Sequence, residues 1–464
     1  MTTFSQVVSI DPVICTGCRR CSEVCPVDAI GGAEGEPQTI DASRCVMCGQ
    51  CVLTCSAFVT PFDDAADDLP AMRRERGLPE NDQSPLFAAH FRSDTKRVAS
   101  MLADRSMKSM VQCAPAVRTS IAEEYGLAPG TLTPGQLAAS LRRLGFDFVY
   151  DTVFAADVTI MEESSELLAR LESDGPLPMF TSCCPGWVRY METAWPDLTD
   201  HLSSCKSPQQ MAGALFKTYG AEIAGVGPEA IASVSVMPCT AKKHEAARPE
   251  MQASGRPDVD AVLTVTELAA MLKDNGINLA EMPDEPFDIP MGLYSGAGVI
   301  FGASGGVMEA ALRTAIAVTT GTDVCESGVV FSPAGPGVRK ASIEVAGKRV
   351  TAVIVSGLAN AAPLLEAVRA GKADFDFMEV MCCPGGCVAG GGQPKLLPGV
   401  NVADAIAMRR SGLHQHDREL PVRASHKNEC VAALYEKYLG KPLGHRSHEL
   451  LHTHYGVDAE GHGS

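Results

Sequence analysis

The chain has 464 residues, 45% hydrophobic and 20% charged, a balance that supports a sizeable core and excludes disorder and collagen-like repetition. Its 39 Lys and Arg against 56 Asp and Glu leave a net charge of −17, which opposes a sequence-independent grip on the phosphates of DNA or RNA. No run reaches the roughly 18 apolar residues that a membrane helix requires, so neither nucleic acid nor membrane is an expected partner.

The 18 cysteines fall into two groups, eight between residues 15 and 55 and ten from 113 to 430. Disulfide stapling is the habit of much smaller secreted domains, so metal or redox chemistry is the better reading. Residues 1–14 have no basic start followed by an apolar stretch, and Arg19 and Arg20 sit inside a cysteine run, where a targeting signal would not be. The expected compartment is a reducing cytoplasm.

Residues 1–60 read as a small α+β module of ferredoxin type. Cys15-x-x-Cys18-x-x-Cys21-x-x-x-Cys25-Pro26 and Cys45-x-x-Cys48-x-x-Cys51-x-x-x-Cys55 are two copies of the bacterial ferredoxin run, in which three thiolates wrap one cubane and the fourth reaches the other. One 4Fe-4S cluster is expected on Cys15, Cys18, Cys21 and Cys55, the second on Cys45, Cys48, Cys51 and Cys25. A zinc ribbon fits the tripled spacing poorly. Ser56 stands where a proline usually follows the last cysteine. Two clusters without a nucleotide site make an electron wire, which needs a catalytic site at one end.

Residues 61–105 are polar and charge-mixed, with Pro61, Asp63, Asp64, Pro70, Pro79 and the run Arg73, Arg74, Arg76; they read as a connector with one helix. The body follows, 106–455. A helix over DVTIMEESSELLARL places Glu163 and Glu166 three apart on one face. PMFTSCCPGW, SVMPCTAKK and FMEVMCCPGGC each follow a short apolar strand and open a turn. SVSVM at 233–237 and AVLTVT read as strands, and a Thr264-x-x-Glu267 capping box opens a helix ending at Gly276. This alternation predicts an α/β body. Ligands of open α/β sheets lie beyond the carboxyl ends of strands, so the three motifs are expected to converge on one crevice. Cys183, Cys184, Cys239, Cys383 and Cys387 offer more soft ligands than a four-ligand site consumes, and thiolates select iron-sulfur, zinc or copper. The small, polar segment 456–464 reads as a flexible tail.

Thr181-Ser182-Cys183-Cys184-Pro185-Gly186-Trp187, Met237-Pro238-Cys239-Thr240-Ala241-Lys242-Lys243 and Glu379-Val380-Met381-Cys382-Cys383-Pro384-Gly385-Gly386-Cys387, the last followed by Val388-Ala389-Gly390-Gly391-Gly392-Gln393-Pro394, closely resemble the three signatures of the iron-iron (FeFe) hydrogenases, in the same order. The resemblance runs from about Val111 through SHKNE and RSHELLH, so the body includes a C-terminal small-subunit-like helical segment. It implies two lobes of helix-flanked sheets enclosing a six-iron cofactor. That cofactor is a 4Fe-4S cubane joined through a cysteine to a two-iron unit with carbon monoxide, cyanide and a bridging dithiolate amine, built by separate maturation proteins.

Residue by residue, the resemblance implies Cys184, Cys239, Cys383 and Cys387 as cubane ligands, with Cys387 also bridging to the two-iron unit. Lys242 matches the donor to an iron-bound cyanide. Met237, Met381, Ala114, Pro115, Ser207, Pro208, Gln209 and Phe301 match positions around that unit. Cys183, Glu163, Ser203 and Glu166, then water, match the proton relay. Cys382 stands where many relatives carry alanine, and Pro384 where a histidine is common. Cys113 and Cys205 match no ligand and read as buried thiols; Cys325, Cys430 and the C-terminal histidines receive no part.

The implied activity is reversible interconversion of protons and electrons with dihydrogen, electrons passing through the two N-terminal clusters to ferredoxin or a similar one-electron carrier. Arg19, Arg20 and Arg44 are the candidate docking patch for an acidic carrier. Dihydrogen sensors share the body but tend to lose the relay thiol or gain a sensory domain. Hydrogenase-like iron-sulfur assembly proteins lack the full two-iron pocket, of which this chain keeps Cys183, Lys242, Met237 and Met381. A subunit of a larger nicotinamide-reducing complex is a third arrangement, because no glycine-rich dinucleotide fingerprint appears here.

Overall fold

Two sheets carry the body, and their central strands are apolar runs covered on each face, whereas Ser332–Gly335 at the edge of the second is exposed. In the first, Ala261–Thr264, Ile231–Met237, Lys108–Cys113 and Phe148–Asp151 lie side by side in that order, all parallel. Every residue of Ile231–Met237 is buried, as a parallel strand with helices on both sides requires. The second sheet orders Ser332–Gly335, Val338–Val345, Lys348–Ser356, Phe377–Met381 and Met179–Phe180. Its first three strands form an antiparallel meander and its last two join in parallel. Ala346 and Gly347, both at positive φ, make the two-residue turn that a tight hairpin needs. This computed structural model describes residues 7–456 apart from 64–67, 79, 81–83, 174, 327, 397 and 398. Asp64 and Pro79 of the expected connector, and all of the expected tail except Gly456, lie outside the described residues.

The helix Thr152–Glu172 joins the lobes. It packs on Pro208–Leu215, which lies against the first sheet, and on Gly306–Thr320, which lies against the second. Asp151 caps it by accepting from the Val153 amide at 2.9 Å. The same carboxylate takes Arg118 Nη2 at 2.8 and 2.7 Å, with both side chains fully buried. The guanidinium stacks over the Tyr294 and Phe287 rings at 5.0 and 5.8 Å. Arg118→Met should therefore leave the buried Asp151 carboxyl without its counter-charge, costing about 3–5 kcal/mol; a denaturation midpoint unchanged from the parent would refute this account of the pair. The Thr264–Glu267 capping box is present at the start of Val265–Asp274.

The N-terminal module reaches further along the chain than 1–60. Val8–Ile10 pairs antiparallel with Ala89–Phe91, and Phe58–Val59 with Leu86–Phe87. Residues 61–105, expected to be a connector with one helix, hold these two strands and two helices, Leu69–Glu75 and Thr95–Ala103. Strands of two and three residues are too short to show alternation, so periodicity does not reveal them.

Candidate functional site

The two cysteine runs adopt one backbone shape twice. Gly17 and Arg19 in the first, Met47 and Gly49 in the second, all have positive φ, between 56 and 75°. Backbone amides from the loops and from the segments packed on them point at four of the eight sulfurs. Gln38 N donates to Cys15 Sγ at 3.4 Å, Ala29 N to Cys25 Sγ at 3.2 Å, Met47 N to Cys45 Sγ at 3.4 Å and Ala89 N to Cys55 Sγ at 3.3 Å. Amide donors of this kind stabilise thiolates and tune the metal they hold.

The electrostatic neighbours cross between runs. Burial raises the Cys21 thiol, and Cys15 and Cys55 raise it further. Burial pushes Cys45 up to about 11, with Cys48 and Cys25 adding to it. Cys51 is likewise raised by burial and then by Cys48, Cys45, Cys21 and Cys25, and sulfurs repelling across the two runs are a donor set that two multi-iron cations relieve.

In the body, Met179–Phe180, Ile231–Met237 and Phe377–Met381 each end just before a cysteine motif, and the three motifs meet between the sheets. Cys184 opens the helix Pro185–Ala194 and Cys387 opens the turn Cys387–Ala389. Cys239 is pushed well above the ordinary thiol value by burial and then by Cys383, Cys184 and Cys387. Cys184 is pushed up to about 11 and Cys387 up to about 12, burial leading in each. Cys184, Cys239 and Cys387 nonetheless keep part of their surface open, as side chains lining an interior hollow do. The backbone around them leaves room for nothing but itself: a Cβ at Gly390 would lie 2.1 Å from Pro238 O, and one at Gly386 2.5 Å from Ser304 N. Four mutually repelling sulfurs in a glycine-walled hollow fit a bulky cluster better than a single small cation.

Lys242 is buried with Nζ donating to Cys183 O at 3.1 Å and to Glu245 Oε2 at 2.9 Å. Burial alone would lower this ammonium, but Glu245 holds it above its usual value. Glu245 is also the hub of the surrounding shell, accepting from Ser207 Oγ at 2.8 Å and Gln209 Nε2 at 3.0 Å. The motifs did not single it out, although its i,i+3 spacing from Lys242 was readable. Pro208 occupies the first turn of its helix after Ser207, a position suited to proline. Met381 and Phe301 share one apolar cluster with Cys183 and Cys184 beside it, while Met237 and Ala114 belong to the cluster of the first lobe. Pro115 is buried directly after Ala114.

Glu163 and Glu166 are buried on the helix that joins the lobes. Ser203 Oγ donates to Glu166 Oε2 at 2.7 Å. Neither carboxyl oxygen of Glu163 has a partner among the described residues, and burial, helped by the charges of Glu166 and Glu379, pushes its pKa up to about 8. Cys183 is raised well above the ordinary range by burial and then by Glu163. Outward of Glu166 stands Arg170, half-buried, with Nη2 2.6 Å from Glu166 Oε1; its i,i+4 spacing carried that signal. The C-terminal segment joins here too. His452 Nδ1 lies 2.8 Å from Ser204 Oγ and Nε2 3.1 Å from Glu162 Oε2, so one unassigned histidine is a buried link beside the carboxylates. Cys113 and Cys205 are wholly buried.

Three family profiles match this sequence: the iron only hydrogenase large subunit, C-terminal domain, over residues 107–391; the iron hydrogenase small subunit over 403–457; and a 4Fe-4S dicluster domain over 7–56. The chain is 43% identical over 460 residues to the NADP-reducing hydrogenase subunit HndD of Solidesulfovibrio fructosivorans, covering 95% of this chain and 73% of that one. It is 39% identical over 435 residues to iron hydrogenase 1 of Clostridium pasteurianum, covering 90% and 75%. A solved structure of apo FeFe-hydrogenase HydA1 from Chlamydomonas reinhardtii, a single-site variant 44% identical, superposes with a TM-score of 0.71 over 78% of this chain and 98% of that one. With its three cysteine motifs meeting between two lobes and a dicluster module ahead of them, the chain belongs to the iron-only (FeFe) hydrogenase family.

Proposed function

We propose that the chain interconverts protons and electrons with dihydrogen at a six-iron cofactor held in the body 106–455. Cys184, Cys239, Cys383 and Cys387 would hold its cubane, and Cys387 would also hold a two-iron unit with carbon monoxide, cyanide and dithiolate amine ligands, supplied by maturation proteins. When bound, the cofactor supplies the open iron position at which hydrogen is formed or split. The rest is the work of the chain. Lys242, kept charged by Glu245, presents an ammonium to the hollow. Met237, Met381, Ala114, Pro115, Ser207, Pro208, Gln209 and Phe301 exclude water from it and hold the unit.

The observation that carries this reading is a buried carboxyl, bonded to no side chain among the described residues, between a raised thiol and a bonded serine–glutamate pair. Glu163, neutral below about pH 8, passes a proton to or from Cys183 on one side and toward Ser203 and Glu166 on the other, a water completing the step. A dihydrogen sensor or an iron-sulfur assembly protein has no need of such a line. Infrared spectroscopy of the matured protein tests the cofactor, since bands from metal-bound carbon monoxide and cyanide must appear; a turnover assay then tests the enzyme against the sensor.

Electrons are read as passing along Cys45, Cys48, Cys51 and Cys25 and then Cys15, Cys18, Cys21 and Cys55 to ferredoxin or another one-electron carrier in the cytoplasm. Cys18 is exposed, as are Arg19, Arg20 and Arg44, and Val13, shortly before Cys18 in the sequence, is 81% exposed. An acidic carrier would find both charge and apolar surface there. Charge reversal at Arg19 and Arg20 should raise KM for a reduced acidic ferredoxin several-fold and weaken its salt dependence, leaving turnover with a neutral dye unchanged; an unaltered ferredoxin KM would move the docking site elsewhere. The relative named as an NADP-reducing hydrogenase subunit favours a second reading, in which the carrier is another subunit of one complex.

A further inference from the structure

One side chain of the inner ferredoxin-type loop reaches the catalytic thiols. Gln50, between Gly49 and Cys51, begins the helix Gln50–Thr54. Its amide nitrogen donates to Cys383 Sγ at 3.3 Å and to Ala389 O at 2.8 Å. Because Ala389 O can only accept, the NH2 end of the amide must face these two groups. Both protons of that NH2 are therefore spent, one on a sulfur and one on the turn opened by Cys387.

The approach is made possible by backbone lying on backbone. A Cβ at Gly49 would come within 2.5 Å of Thr240 Oγ1, and one at Gly391 within 2.3 Å of Cys48 O. Thr240 Oγ1 donates to Met47 O at 2.7 Å, fixing the loop from the other side. Beside the Gln50 side chain, the buried Cys382 thiol, hydrogen-bonded to both Cys48 and Cys383, also stands between the second sulfur run and the catalytic set.

We propose that Gln50 is a positioning residue that couples the inner electron-transfer cluster to the catalytic cubane. Its N–H···S bond stabilises the reduced, more negative cubane more than the oxidised one and so raises its potential. One electron leaves the inner cluster, which is oxidised, and enters the cubane, which is reduced; the external one-electron carrier replaces it. The second N–H holds the Cys387 turn in register with Cys383. The inference rests on the reading of Cys383 as a cubane ligand.

The test uses the full chain expressed without maturation proteins, which would carry cubanes alone, titrated electrochemically with paramagnetic resonance detection. In Gln50→Leu the ratio of reduced to oxidised catalytic cubane at a fixed potential should fall about tenfold, equivalent to ~59 mV for one electron. In the isosteric Gln50→Glu it should fall further, and the two N-terminal clusters should keep their ratios in both variants. An unchanged catalytic ratio, or an equal displacement of all three clusters, would overturn the role of Gln50. Iron for two cubanes rather than three in the parent protein, about eight atoms instead of about twelve, would overturn the ligand reading and this inference with it.

Discussion

Cys183→Ala should lower hydrogen turnover by about 10²–10⁴-fold, the range lost with a positioned proton-transfer group, while every iron atom stays bound. The neighbours of Cys183 argue for this separation. The charges that do most to raise Cys239 come from Cys383, Cys184 and Cys387, and that set of four sulfurs stays complete when Cys183 is removed. The thiol itself is held protonated above all by burial, and the Glu163 carboxyl, bonded to no side chain among the described residues, is free to exchange a proton with it. The measurement pairs an iron assay and infrared bands, expected unchanged, with hydrogen evolution, expected nearly lost. Normal evolution would refute the relay.

Cys387→Ala should give the opposite separation within the cofactor: carbon monoxide and cyanide bands absent, turnover undetectable, and the resonance signals of the two N-terminal clusters intact. Cys387 is pushed up to about 12 by burial and by Cys184 and Cys383, so as a free thiol it is poorly stabilised as an anion and gains most from a metal that takes up its charge. Gly386 before it has φ 97° and no space for a side chain, so no neighbouring residue can move a substitute sulfur into its place. Retention of the bands in Cys387→Ala would overturn its bridging assignment. Run together, the two variants distinguish loss of the proton route from loss of the metal unit.

The site was legible wherever chemistry forces residue type and spacing together. Tripled Cys-x-x-Cys runs and Pro-Gly turns around cysteines have few other uses, and the strands leading into them are short apolar runs, so the convergence of the three motifs could be expected. Glu245 and Arg170 were legible in retrospect, since each stands one helical turn from a residue already singled out. Gln50 was not: its partner Cys383 is 333 residues away, and nothing local marks a glutamine as a sulfur donor. Ala89 acts through its backbone amide, which carries no side-chain signal at all. The meander of Ser332–Gly335, Val338–Val345 and Lys348–Ser356 was missed because it lies between motifs and carries no cysteine.

The pairing of Val8–Ile10 with Ala89–Phe91, together with the Ala89 amide on Cys55, means that the front end of this enzyme is not a cassette that ends where its cysteines end. A graft cut after residue 60 would leave behind two partner strands and one donor to a cluster sulfur. To transplant the wire onto another catalyst, an engineer would have to carry the chain through Phe91 and would also have to supply a glycine opposite Cys48 for it to plug into.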